Sequence, residues 1–182
     1  VDAVQWDDSN RGLYSVSFGR RNTALGTGST AFGFQNTVGG DNSISAGSTN
    51  TVTGTSSIAV GLQNTVGGTA SNSAIFGSEN NSISPSTLVY GASAVATTPG
   101  EFVHATGRFA VVGDAQSSEY VVRERIITAV AGTIVLSADG AGANYQMELN
   151  AAYSISVSLI GKRLGPSVEA GSYRIEAMGV GP

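Results

Sequence analysis

The chain contains no cysteine, so neither a disulfide framework nor a thiolate metal site is open to it. Basic charge is scarce. A single lysine, Lys162, and a formal net charge of -4 exclude an electrostatic grip on nucleic acid or on an anionic membrane. No apolar run approaches the roughly 20 residues of a membrane-spanning helix, and the opening VDAVQWDDSN lacks the basic start and apolar centre of a signal peptide. Beginning at Val1 rather than at methionine, the chain is expected to be a processed product or a fragment. Aromatic residues make up 7% and charged residues 12%, so neither a core of large side chains nor an ordinary charged surface is available, although 41% hydrophobic residues is too many for a disordered chain.

Glycine is abundant instead, and it is periodic. It recurs every seven residues at Gly12, Gly19, Gly26, Gly33, Gly40, Gly47, Gly54, Gly61 and Gly68, then at Gly77 and Gly91 after a two-residue insertion near 69–72. Asparagine recurs at twice that spacing, at Asn22, Asn36, Asn50, Asn64 and Asn80, so the repeating unit is fourteen residues with two related halves. GFQNTVGG at 33–40 and GLQNTVGG at 61–68 differ at one position. Such a unit is too short for two helices, lacks a 3.6-residue apolar stripe, and offers two short β-prone runs punctuated by glycine. It predicts one coil of a β-solenoid, with Gly19, Gly26, Gly33, Gly40, Gly47, Gly54, Gly61 and Gly68 at coil corners.

Stacking such coils at about 4.8 Å turns equivalent residues into columns. The asparagines would then form a ladder of side-chain amides that satisfy one another. Ahead of each major glycine, one column is mostly small (Ser17, Ala31, Ser45, Ala59, Ile75, Val89), while its neighbours carry Val16, Ile44, Ile58 and Leu88, or Phe18, Phe32, Val60, Phe76 and Tyr90. Neighbours on a strand face opposite ways, and a narrow bore suits the small column. The large column would then point outward, an apolar stripe that needs a partner, and Phe18, Phe32, Val60, Phe76 and Tyr90 become the expected trimer interface. The reverse assignment, large residues inside, leaves a monomer viable.

The repeats SVSFGRRN, TAFGFQN, SIAVGLQN and SAIFGSEN resemble the head repeats of trimeric YadA-type adhesins over about residues 12–95. The resemblance implies a left-handed parallel β-roll of fourteen-residue coils, with three chains packed side by side, as occurs in bacterial adhesins and in bacteriophage fibres. Ser84 in the minor-glycine column and Ala94 in the asparagine column depart from the pattern and predict that the roll ends there.

From about Gly100 the period is lost, and eight of the thirteen acidic residues lie within 101–182. Short alternating runs such as EYVVRERIITAV, GTIVLS and YSISVSLIGKRL, separated by Gly, Asn and Asp turns, predict an antiparallel β-sandwich. GRFAVVGDAQSSEYVVRERIITAVAGTIVL resembles the opening of a sandwich domain near the ends of phage tail fibres, which implies further strands beyond SYRIEAMG. The expected organisation is a lead-in at 1–11, a roll at 12–99 and a sandwich at 100–182. The fold class is thus all-β, a left-handed parallel β-roll followed by an antiparallel β-sandwich, in a homotrimer.

Chemistry-bearing residues are sparse. His104 is the only histidine, so any Ser-His-Asp triad would have to use it; its place where roll meets sandwich suggests a structural role, with ion binding at a three-fold axis the weaker alternative. Asp7 and Asp8 read as a solvated turn. Glu119 and Glu124 lie five apart, on opposite faces of an uninterrupted strand and near Arg123 and Arg125, which favours surface pairing over a glycosidase pair. Asn80-Asn81-Ser82 reads as a coil corner rather than a glycosylation site, and Trp6, Tyr145, Tyr153 and Tyr173 as packing residues before recognition residues. The composite expectation is a non-enzymatic trimeric fibre of a phage tail or related injection machine, located on the virion tail and outside the cell. It would need no cofactor, associate with itself and with tail or baseplate proteins, and bind a host glycan or protein but no nucleic acid. The alternatives are the head of a trimeric autotransporter adhesin and a capsule-degrading depolymerase.

Overall fold

The computed structural model describes residues 10–119 and two strands at 152–162 and 170–180. Residues 16–106 form a parallel β-solenoid of six coils and a closing strand, with no α-helix among the described residues. Each coil contributes a five-residue strand and then a two-residue strand. The long strands are β1 (Val16–Arg20), β3 (Thr30–Phe34), β5 (Ile44–Ser48), β7 (Ile58–Leu62), β9 (Ala74–Ser78), β11 (Leu88–Ala92) and β13 (Phe102–Thr106). They pair in that order, and β14 (Gln116–Glu119) closes the sheet antiparallel to β13. The short strands, β2 (Thr23–Ala24), β4 (Thr37–Val38), β6 (Thr51–Val52), β8 (Thr65–Val66), β10 (Asn81–Ser82) and β12 (Val95–Ala96), form a second parallel sheet. Register follows the repeat: Phe18 pairs with Phe32, Gly33 with Gly47 and Thr51 with Thr65.

The bore between the two sheets is filled by one residue from each. Ala31, Ala59, Ile75, Val89 and Val103 of the long strands meet Ala24, Val38, Val52, Val66 and Ala96 of the short ones, all fully buried. Volume is shared within the coils after the first. Ala31 and Ser45 precede Val38 and Val52, whereas Ile75 precedes Ser82, so a larger residue on one sheet accompanies a smaller one on the other; in the first coil both residues, Ser17 and Ala24, are small.

The parallel sheet extends beyond the expected boundary at 99. The glycine and asparagine columns stop at Gly91 and Asn80, yet β13 pairs with β11 in register because its alternate residues Val103 and Ala105 still fill the bore. Residues 101–119, expected in a sandwich, therefore complete the solenoid's end. Farther on, β15 (Ala152–Lys162) and β16 (Ala170–Val180) make a separate antiparallel pair, with Ile155 opposite Ala177.

Candidate functional site

The asparagine column is continuous and directional. The Nδ2 groups of Asn36, Asn50, Asn64 and Asn80 each lie 3.0–3.2 Å from Oδ1 of the asparagine one coil before. The same oxygens accept the backbone N–H of the next asparagine, 2.9–3.1 Å away. Each Nδ2 also donates to the carbonyl of the next coil's major glycine, as Asn36 does to Gly47 at 2.9 Å. All five amides are essentially buried, and the ladder ends where Ala94, lacking a side-chain amide, donates only its N–H to Asn80 Oδ1. Buried amides of this kind are tolerable only because every group is paired.

The major glycines are the complement of that ladder. Gly47 has φ +118°, and a Cβ there would land on the carbonyl oxygen of Gly61; Gly19, Gly33 and Gly61 repeat the arrangement. They sit within the long strands, as a sharp bend, rather than between strands. The minor column, Gly12, Gly26, Gly40 and Gly54, is close-packed without positive φ, its Cβ positions filled by the backbone of the coil above. Gly68 leaves this column: the space over Gly54 is taken by the Ala70 carbonyl, and a Cβ on Gly68 would meet only Thr53 Oγ1 at 3.9 Å. The two-residue insertion bulges out at 68–69, which seven-residue counting from one side cannot locate.

A second ladder escaped the sequence reading. Ser43, Ser57, Ser73 and Thr87 stack as a buried hydroxyl column, each oxygen accepting the backbone N–H of the next member at 3.0–3.2 Å. Their fourteen-residue recurrence was visible, but serine beside glycine reads as turn polarity. The column closes on Glu101, 1% exposed, whose carboxylate accepts the N–H groups of Thr97 and Thr98.

The outer faces differ. On the long-strand sheet Val16, Phe18, Phe32, Ile44, Phe76, Leu88, Tyr90 and Phe102 are exposed, while Ser17, Ala31, Ser45, Ala59, Ile75 and Val89 point into the bore. Phe18 stacks on Phe32 at 5.0 Å between ring centroids. Val60 is half-buried on the same column. His104 continues this column beyond the glycine period, stacked on Tyr90 at 4.3 Å. Among the described residues no cluster of three metal-ligating side chains occurs. On the short-strand sheet the outward residues are Thr23, Thr37, Thr51, Thr65, Asn81 and Val95. Asn80-Asn81-Ser82 is not a corner: Asn80 belongs to the ladder and the other two form β10.

The GRFAVVGDAQ segment finishes the stack. Asp114 accepts the N–H groups of Phe109, Ala110 and Val111 at 2.6–2.8 Å. Hydrogen bonds from Val111 and Ala110 foremost hold its carboxyl below the ordinary 3.8. Gln116 then bonds both the N–H and the carbonyl of Val95, each at 2.8 Å, doing for β12 what a further strand would do. Arg108 reaches back to pair with Glu79 at 2.7 Å. Glu119 is exposed opposite Phe102. Trp6, Asp7, Asp8, Glu124, Arg123, Arg125 and Tyr145, and the side chains of Tyr153 and Tyr173, lie outside the described residues.

Comparison with known families matches the YadA head domain repeat in two copies, at residues 11–36 and 39–64. No curated protein matches the chain. The chain is thus similar to YadA-type heads over residues 11–64, with β4 (Thr37–Val38) falling between the two matched copies.

Proposed function

We propose that the chain is part of a homotrimeric, non-enzymatic attachment fibre, in which the apolar stripe of each roll is buried against two identical copies. The observation that carries this is the column of exposed Phe18, Phe32, Phe76 and Tyr90 and half-buried Val60, with exposed Val16, Ile44, Leu88 and Phe102 beside it, on one face of a solenoid whose bore is already full. So long an apolar face on a regular rod is an interface, not a surface. The match to YadA head repeats supports a second copy as the occupant, because such heads are trimeric.

Two settings share this architecture. A phage tail fibre, with residues beyond the roll building a sandwich knob and with tail or baseplate proteins at its root, is the reading supported by the likeness of GRFAVVGDAQ to tail-fibre domains. The head of a trimeric autotransporter adhesin is supported by the matched repeats themselves. In either setting the fibre stands outside the producing cell or particle and acts by presenting three weak sites at once. A non-catalytic role is favoured because Glu79, Glu101 and Asp114 are each committed to structural hydrogen bonds. The mass of the purified chain by light scattering tests the assembly: three times the chain mass supports it, and a stable monomer sinks it. Neighbouring tail genes or a downstream membrane anchor in the full gene separate the two settings.

A further inference from the structure

We propose that the cleft between the Arg108–Val112 loop and the short-strand face of the roll binds a neutral saccharide, with Glu79, Asn81 and Arg108 as its polar contacts; this rests on the attachment reading above and names its site and ligand class. The cleft is open, about 600 Å³, and is lined by Gln63, Thr65, Glu79, Asn81, Arg108 and the apolar pair Val95 and Val112. It exists at this level because the loop after β13 folds back over the roll, pinned by Asp114 and by the Arg108–Glu79 pair, and supplies a wall that the earlier coils lack.

The sequence departs from its own columns where the cleft lies. Asn81 stands where four preceding coils have Thr23, Thr37, Thr51 and Thr65, and Glu79 stands where they have Arg21, Gln35, Thr49 and Gln63. Glu79 serves the stack by holding the terminal loop through Arg108, whereas the change to Asn81 adds no hydrogen bond from its amide oxygen. Asn81 Oδ1 is buried without a hydrogen-bond partner, and a rotation of the amide toward the cleft would bring it within reach of a ligand hydroxyl. Vicinal hydroxyls, each donor and acceptor, suit a lining of one carboxylate, one guanidinium, two amides and a threonine hydroxyl, while Val95 and Val112 offer a surface to the C–H face of a sugar ring. The Arg108 guanidinium is already neutralised by Glu79 at 2.7 Å, which disfavours an anionic ligand. Both sheets bury their alternate residues in the shared bore, so the outward residues of the short strands face away from the apolar stripe. The cleft therefore stays open when that stripe is covered.

The test is an amide-shift titration of the isotopically labelled full chain with galactose, glucose and N-acetylglucosamine, and with N-acetylneuraminic acid as the acidic comparison. The expected result is saturable shifts at Gln63, Thr65, Asn81, Val95 and Arg108 with at least one neutral sugar. Asn81→Thr, which restores the residue of the preceding coils, and Arg108→Gln should each weaken binding about tenfold or more. Absence of shifts with all three neutral sugars, shifts elsewhere, a response to the acidic sugar alone, or full binding by both variants would each overturn the proposal. Adherence of the wild-type chain to immobilised bacterial and epithelial cells is scored separately. Adherence without cleft shifts removes the saccharide site and leaves attachment standing, whereas cleft shifts without adherence do the reverse.

Discussion

The two outer faces of the roll come from the same fourteen residues and have opposite characters. The long-strand face presents phenylalanine, isoleucine and valine; the short-strand face presents a file of threonines that ends in Asn81 and Val95. Between them the bore is equally buried on both sides, so the difference does nothing for the interior of one chain. A repeat this short has no room to specify a partner through loops. Instead it makes one face apolar and lets stacking multiply the choice, so that a modest exposed side chain per coil becomes a stripe. The threonine face, β-prone and polar, needs no cover.

The sharpest way to break this contrast is to remove aromatic area from one face only. Replacing Phe32 and Phe76 together with serine should dissociate the proposed trimer, since each copy would lose two large apolar contacts worth about 1.5–3 kcal/mol apiece and the loss would be repeated in every subunit. Serine at Thr37 and Thr65 should leave the mass in light scattering unchanged. Retention of the trimer by the phenylalanine double variant would move the interface elsewhere.

Glycines on the two sides of a coil sharpen it next. Gly47→Ala combines φ +118° with a Cβ placed on the Gly61 carbonyl, and should cost about 4 kcal/mol or more in thermal or denaturant unfolding. Gly39→Ala, whose Cβ would meet only Thr53 Cγ2 at 3.8 Å, should shift stability by less than about 1 kcal/mol in either direction. Equal effects would contradict the distinction between column and spacer glycines.

Breaking the ladder should come third. Asn50→Ala leaves the buried Asn64 N–H without its acceptor and the Gly61 carbonyl without its donor, a loss of about 2–4 kcal/mol by denaturant unfolding. Thr51→Ser, one residue on and facing outward, should be near neutral.

The smallest effect concerns the terminal loop. Asp114 titrates below its ordinary value, so the order it imposes is fully present above pH 3.8 and is lost as pH falls through the lower folded value. The amide protection factors of Phe109, Ala110 and Val111, corrected for the intrinsic rate, should therefore fall selectively in acid. Asp114→Asn should remove that pH dependence while leaving the coils protected.

Periodicity decides what could be read in advance. The asparagine and glycine columns are legible because each coil repeats the same contact, so composition and geometry are written many times over. The orientation of Phe32 against Ala31 follows from strand alternation and the width of the bore. Where the contact is made once, the signal disappears. Gln116 bonds Val95 across a separation that no spacing rule anticipates, and Arg108 finds Glu79 over a still longer one. The displacement of Gly68 by Ala70 is a local choice of where two extra residues bulge, which depends on backbone packing over Gly54 rather than on residue type. The serine column repeats in sequence as faithfully as the asparagines, although its hydrogen bonds begin only at Ser43, the hydroxyls of Ser15 and Ser29 being buried without partners. It went unread because a hydroxyl has no feature that separates a ladder from a turn.

The one-way asparagine ladder also makes the shaft a ruler. Every amide hands its carbonyl oxygen to the coil that follows, so a whole coil inserted between Asn36 and Asn64 would find the same donor above and the same acceptor below as its neighbours do. Length can then be changed in steps of one coil, about 4.8 Å. Neither end need be redesigned, and the length of the roll becomes a quantity that duplication of one repeat can set.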